Sequence, residues 1–374
     1  MVESNLPSKY AYALRRYDFS FFGTMIVIFI IGILNLYSAT HATNDKALLD
    51  LYKTQAIWFC ISIVVGVSIS FIRPKTFFRY SYVVYGINVI LLVLVLLIGV
   101  KVLGAKRWLD LGVLRLQPSE MMKISIVLVL ARWYSKFNPE VDVGLKEMII
   151  PGILALVPAV LVIVEPDLGT GLVLLLIFFI ITFYRRLKWK TIILLVILGI
   201  ATSGVMYKFG LKEYQRQRVI TFLDPWGDAQ GYGYNAIQSE IAIGSGQLFG
   251  KGFKKSSQAS LSYLPENHTD FVFSIFNEEH GLFGSLVLIT MYVVLIMRFI
   301  WLATSVVNFY DAVVSIGLMS IFFWHTFINM SMVTGLLPIV GIPLPLMSYG
   351  GSSLLTFGIC CGIATSISNS RNLF

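Results

Sequence analysis

The sequence predicts an all-α polytopic membrane protein of about ten transmembrane helices, with a large structured extracytoplasmic loop between the seventh and eighth. Three observations predict it. Of 374 residues, 57% are hydrophobic and only 13% charged, against roughly 25% charged in a soluble domain. Apolar runs of about 20 residues, long enough to cross a bilayer, recur along the chain. The basic residues sit in short clusters beside alternate runs, so the net charge of +9 marks membrane sidedness rather than a nucleic-acid surface. The span 1–374 reads as one integral-membrane unit that contains the loop 208–270.

Taken in order, the first run, 19–38, follows Arg15 and Arg16. It exceeds the roughly 7–15 apolar residues of a signal peptide and reads as retained, although Ala39 to Ala42 weakly resembles a cleavage site. Arg73, Lys75 and Arg79 separate the second run, 55–72, from the third, 81–100. The loop 101–120 is densely charged. Lys106 and Arg107, ahead of Trp108, suit an anion clamp beside an aromatic face for a sugar; an interfacial Trp with snorkelling bases is the plainer reading. Pro118 suits the first turn of the fourth run, 121–135. Glu120 and Lys123 share a face there, as a structural ion pair or as one that also lines a ligand cavity.

Arg132, Lys136 and Lys146 precede the fifth run, 149–164. In the following EPDLGTG, residues 165–171, Glu165 and Asp167 straddle Pro166, and helix capping explains both most simply. Arg185, Arg186, Lys188 and Lys190 lie between the sixth run, 169–184, and the seventh, 191–207. The positive-inside rule then puts the basic loops and both termini in the cytoplasm. The loop 208–270 is too long for a simple connection. Its apolar residues and glycines predict short amphipathic helices in the outer interface, folded as a cap over a membrane cavity and carrying Arg216 and Arg218.

Asp270 opens the eighth run, 271–297. A helix starting near Thr269 would set Asp270, Ser274, Asn277 and Gly281 within about 40° of one line. An acid leading such a small polar stripe faces protein or water rather than lipid. After the ninth run, 311–333, the charge-free segment from Thr334 with Pro338, Pro343 and Pro345 suits a re-entrant or cavity-lining loop. Ser352, with Ser348, Gly350, Gly351 and Ser353, opens the tenth run, 350–367, either as an anion site at a helix N-terminus or, equally, as small-residue helix packing. Cys60, Cys360 and Cys361 all lie in apolar runs, which argues against a disulfide framework, and the histidines lack metal-ligand spacing. No P-loop, dinucleotide fingerprint or nucleophile elbow occurs.

The strings GAKRWLDLG, QPSE, EPDLGTG, AIGSGQLFGKGF, LPENHTDFVF with EEHGLFG, and GIPLPLMSYGGSS occur in that order over nearly the whole chain. Together they resemble the SEDS family (shape, elongation, division, sporulation) of bacterial cell-wall proteins, and HTDF with RWLDLG is most similar to its rod-shape branch. Val272 and His280 depart from the usual pattern. The resemblance implies a multi-pass peptidoglycan glycosyltransferase of the bacterial plasma membrane that polymerises lipid II at the outer face during elongation. It assigns catalysis to Asp270, a functional tryptophan to Trp108 and polar cavity residues to Glu120 and Lys123. The implied reaction inverts the α-linked donor to a β-1,4 bond, with Asp270 as base and Lys106, Arg107, Lys123, Arg216 and Arg218 as electrophilic groups for the departing undecaprenyl pyrophosphate. It also implies a divalent cation, Mg²⁺ or Mn²⁺, and a class B penicillin-binding transpeptidase as partner. A lipid II flippase is the rival class, but carriers place charges near the midplane in repeated halves, whereas here the acids gather at the outer ends. A non-catalytic scaffold would need no acid on a polar stripe.

Overall fold

A computed structural model describes residues 17–41, 46–102, 105–110, 112, 115–205, 208, 210, 213–231, 233–261 and 263–371. Arg15 and Arg16 lie outside them. Each of the ten expected runs is a helix: α1 (Ser20–Thr40), α2 (Leu51–Ser70), α3 (Pro74–Ile98), α4 (Pro118–Tyr134), α5 (Leu145–Val164), α6 (Leu168–Tyr184), α7 (Trp189–Val205), and, after the long loop, α10 (Val272–Ser305), α11 (Phe309–Val333) and α12 (Gly351–Arg371). Seven of these are long and apolar enough to cross a membrane; α4, α6 and α7, at 17 residues each, are shorter. The loop itself contains α8 (Glu213–Leu223) and α9 (Tyr234–Ser245). Between α3 and α4 the chain forms a small antiparallel sheet of β1 (Val100–Val102), β2 (Ala105–Asp110) and β3 (Arg115–Leu116), where only a charged loop was expected.

The centre is built from α4, α11 and α12, buried on almost every face, while α3, α5 and α7 turn exposed Ile, Leu and Val outward. Between helices in lipid the hydrophobic effect offers little, so close backbone approach matters. In the α2–α12 contact a Cβ at Gly66, Gly358 or Gly362 would strike the backbone of the opposing helix. Ser62 seals it by donating to the Leu354 carbonyl at 2.6 Å. All three cysteines are free; Cys360 and Cys361 are buried, whereas Cys60 lies on an exposed face of α2.

One end of the bundle gathers the basic loops. Arg132 donates to the Arg79 carbonyl, and the backbone of Val143 bonds to Arg186 and Lys188. Asp18, ahead of α1, accepts from Arg298 and from Ser368, so both ends of the described chain meet there. At the opposite end α10 is broken. Gly281 adopts φ 67° and ψ −166° inside it, and the segment 247–252 pairs with the freed backbone: Leu282 N–H donates to Gln247, Phe283 to Leu248, and Lys251 and Gly252 to Glu278 and Glu279. The two acids are therefore compensated. Glu278 accepts from Lys251, Ser256 and Ser257, and Glu279 accepts from Ser38 at 2.5 Å.

Gly281→Ala would put a Cβ into the Leu248 and Gly250 backbone and force an L-residue into a positive-φ, extended-ψ conformation that is essentially glycine's alone, costing about 1–3 kcal/mol before any clash. A lower unfolding midpoint of the purified protein and faster proteolysis at 247–257 are expected; an unchanged midpoint and cleavage pattern would contradict the break as a structural joint.

Candidate active site around Asp270

Asp270 does not lie on α10. It ends a turn in which the Thr269 and Phe271 amides both bond to the Glu266 carbonyl, and α10 starts only at Val272. The expected stripe is consequently spent on packing. Ser239 of α9 gives its one proton to the Val333 carbonyl at 2.7 Å, so Ser274 is the donor in their 2.7 Å contact. Asn277 bonds Ser285, and Gly281 forms the break. The carboxylate of Asp270 instead approaches the segment after α11: a Cβ built on Gly341, itself at φ 76°, would stand 3.1 Å from Oδ2. Asp270 is half-buried, so protein surrounds it on most sides while part of it remains accessible.

The segment 334–350 carries no helix and little regular hydrogen bonding, so side chains hold it. Asn329 donates to the carbonyls of Asp270 (2.9 Å) and Ile342 (2.7 Å), tying the catalytic candidate directly to this segment. Ser348 donates to the Thr269 carbonyl at 2.5 Å and accepts from Leu344 N–H. Tyr349 N–H reaches the His268 carbonyl. Gln55 of α2 donates to Ser348 and accepts from Gly350, and Tyr292 donates to the Pro345 carbonyl.

Beneath this segment lies a buried polar chain. Lys123 is fully enclosed and donates to Glu120 Oε1 at 2.8 Å and to His325 Nε2 at 2.7 Å. Because Nε2 accepts there, the proton of the neutral imidazole sits on Nδ1, facing the Pro343 carbonyl at 3.2 Å. The pair is thus structural in its contacts and braces the loop that backs Asp270.

The expected cations separate. In β2 alternate side chains point to opposite faces, so Lys106 and Trp108 share one and Arg107 the other, with buried Leu109. Lys106 and Arg107 therefore do not clamp one anion together. Arg107 turns to the α5–α6 corner, bonding the Pro166 carbonyl and standing 4.0 Å from Asp167. Arg216 faces the Lys208 carbonyl at 3.3 Å. Arg218 lines a recess, partly open to solvent, together with Phe222, Glu240, Met332, Leu337 and Pro338. Ser352 is not an anion donor, because its hydroxyl bonds the Arg115 carbonyl and accepts from Gln117 N–H.

Burial pushes the Asp270 carboxyl up to about 6; Glu266 and Asp167 add to the rise, while Arg218 and Arg107 oppose it. A carboxylate in this state takes a proton from a hydroxyl more effectively than an ordinary aspartate and is still mostly ionised at neutral pH. Two guanidiniums whose fields reach it suit a developing anion. Asp167 caps α6 through Thr170, as expected. The Glu165 side chain caps nothing, only its amide closing α5, and the residue is 1% exposed. Sequence reasoning also missed Asn329 and His325, although polar residues inside an apolar run are themselves a signal. Among the described residues no three His, Cys, Asp or Glu side chains converge to hold a metal; a Mg²⁺ or Mn²⁺ ion held by one carboxylate and the substrate's phosphates needs no such cluster.

A family model described as a cell cycle protein of the FtsW, RodA and SpoVE type matches residues 18–373. Peptidoglycan glycosyltransferase MrdB of Escherichia coli (strain K12) is 42% identical over 316 residues, 84% of each chain. Peptidoglycan glycosyltransferase RodA of Treponema pallidum (strain Nichols) is 30% identical, covering 96% of this chain and 98% of its own. A solved peptidoglycan synthase complex that coordinates polymerization and crosslinking contains a chain similar at TM-score 0.80 and 28% identity, covering 95% of this chain and 98% of that one. The crystal structure of the Thermus thermophilus rod shape determining protein RodA is similar at TM-score 0.71 and 26% identity, covering 95% and 97%.

Lys123→Ala strands the Glu120 charge and should destabilise the protein by about 3–5 kcal/mol, whereas replacing Glu120 and Lys123 together by Met should recover most of that loss. Thermal unfolding in detergent checks it. A double variant no more stable than Lys123→Ala would mean that the pair is not the unit described here.

Proposed function

The chain belongs to the FtsW, RodA and SpoVE family of cell cycle proteins, and from that premise we propose that it is a peptidoglycan glycosyltransferase that polymerises lipid II during cell elongation. Asp270 carries the reading to a mechanism: a half-buried carboxylate with a raised pKa, fixed through its backbone carbonyl by Asn329 and within the fields of Arg218 and Arg107.

The 4-hydroxyl of an incoming lipid II attacks the anomeric carbon of the growing glycan. Asp270 takes the hydroxyl proton as the new carbon–oxygen bond forms. The bond to pyrophosphate breaks, and undecaprenyl pyrophosphate leaves with the electron pair. Direct displacement turns the α-linked donor into a β-1,4 product. Arg218, at the recess beside the turn, and Arg107, at the α5–α6 corner, are the groups we assign to the leaving pyrophosphate. Trp108 and Lys106, on the other face of β2, are the assigned sugar-side contacts. Glu120 and Lys123 act at one remove, by bracing 334–350.

The chain is a multi-pass membrane protein. Its Asp270 end is assigned to the outer face, since the basic loops and both described chain ends lie at the opposite end. A class B penicillin-binding transpeptidase is the proposed partner, consistent with the similarity to a chain of a synthase complex.

Asp270→Asn keeps the shape but cannot accept the proton, and polymerisation of lipid II by the folded protein should fall about 10²-fold or more. Near wild-type polymerisation would overturn the base assignment. The wild-type rate should rise with pH through about 6 as Asp270 ionises. Glu266→Gln removes a negative neighbour, so the acid limb should move to lower pH; an unmoved limb would separate Asp270 from that titration. Gln230→Cys, on the exposed segment after α8, should react with an impermeant thiol reagent from outside, and labelling only from the cytoplasm would reverse the topology.

A further inference from the structure

Glu165 is a buried carboxyl of this end that, unlike Asp167, Glu278 and Glu279, no hydrogen bond engages. It closes α5, its amide bonding the Leu161 carbonyl. It is 1% exposed, and neither side-chain oxygen has a hydrogen-bond partner. Nearby, Nε of Arg107 is likewise buried and makes no hydrogen bond, its ion-pair partner Asp167 standing 4.0 Å away. The charged groups acting on Glu165 are Arg107 from β2 and Asp167 at the head of α6. Asp167 is already engaged by Thr170 N–H and hydroxyl. The same Arg107 and Asp167 also act on Asp270, so a change of charge at Glu165 reaches Asp270 through groups whose fields it already feels.

A negative charge at this position is opposed by burial, by Asp167 and by the C-terminal end of α5, whose macrodipole is negative. Only Arg107 favours it. We propose that Glu165 is a positioning residue of the polymerisation site that works as the uncharged acid, leaving the charge of Arg107 to the leaving pyrophosphate, and that its ionisation shuts the site in alkali. The inference rests on the glycosyltransferase reading and adds a residue to it. Burial, helped by Asp167, raises the Glu165 carboxyl to about 8. The neutral form therefore prevails at neutral pH and is lost as pH rises through that value. Once the proton has gone to solvent, the carboxylate draws Arg107 to itself and neutralises the cation that the departing anion needs.

The test is the initial rate of lipid II polymerisation by the full-length protein in lipid nanodiscs, from about pH 5 to 10. Above the midpoint the wild-type rate should fall by up to about tenfold per pH unit, the limit for one essential proton. Glu165→Gln, uncharged and of the same shape, should remove this alkaline limb while staying within a few-fold of wild type at neutral pH. Glu165→Met, which cannot ionise, should also lack the limb but with a lower rate at every pH. A wild-type profile flat to about pH 10, or an alkaline limb retained in either variant, overturns the inference. Absence of polymerisation by the wild type at every pH, with lipid II bound, defeats the glycosyltransferase reading itself. Should Glu165→Gln not fold, the wild-type profile and Glu165→Met still decide.

Discussion

Irregular backbone packed inside a membrane protein has no water to satisfy it, and the site at Asp270 depends on how this chain meets that constraint. The segment 334–350 forms no helix, yet much of it is buried. Its carbonyls and amides are taken up by Asn329, Ser348, Gln55, Tyr292 and, through a longer contact, His325. Asn329 is the joint between the two halves of the site, because one amide group holds both Asp270 and Ile342. Each unsatisfied buried polar group costs about 1–3 kcal/mol, so losing that amide would release the Asp270 turn and the segment behind it together.

The carboxyl groups at this end are sorted by their partners rather than by their positions in sequence. Glu278 is surrounded by donors and Glu279 has Ser38, so both serve to fasten the long loop to the broken α10. Asp167 caps a helix. Burial, with Glu266 and Asp167, raises the pKa of Asp270, while Arg218 and Arg107 keep it able to ionise. Glu165 has burial and no hydrogen bond at all. Environments that push titratable groups apart in this way separate acid from base within one cleft.

The ten helices were legible because apolar runs and alternate basic loops are local properties of the chain. Asp270 was legible by residue type and by its motif, but not by helical spacing, since the turn on Glu266 that ends before α10 is fixed by contacts from Asn329 and Ser348 far away in sequence. Lys106 and Arg107 looked like one clamp because the strand that turns them apart pairs with a neighbouring stretch. Glu120 and Lys123 were visible as a pair, but their third member, His325, lies 202 positions along the chain from Lys123. Which acids lack partners is a tertiary fact, so Glu165 and Asp167 could not be told apart from EPDLGTG alone.

Asn329 holds Asp270 by its backbone carbonyl, and lipid II affinity compared with single-turnover rate in Asn329→Leu isolates what that contact does. The expected result is a folded protein that binds lipid II within a few-fold of wild type but turns it over at least about tenfold more slowly, the signature of lost positioning rather than lost binding. A wild-type single-turnover rate in that variant would contradict it.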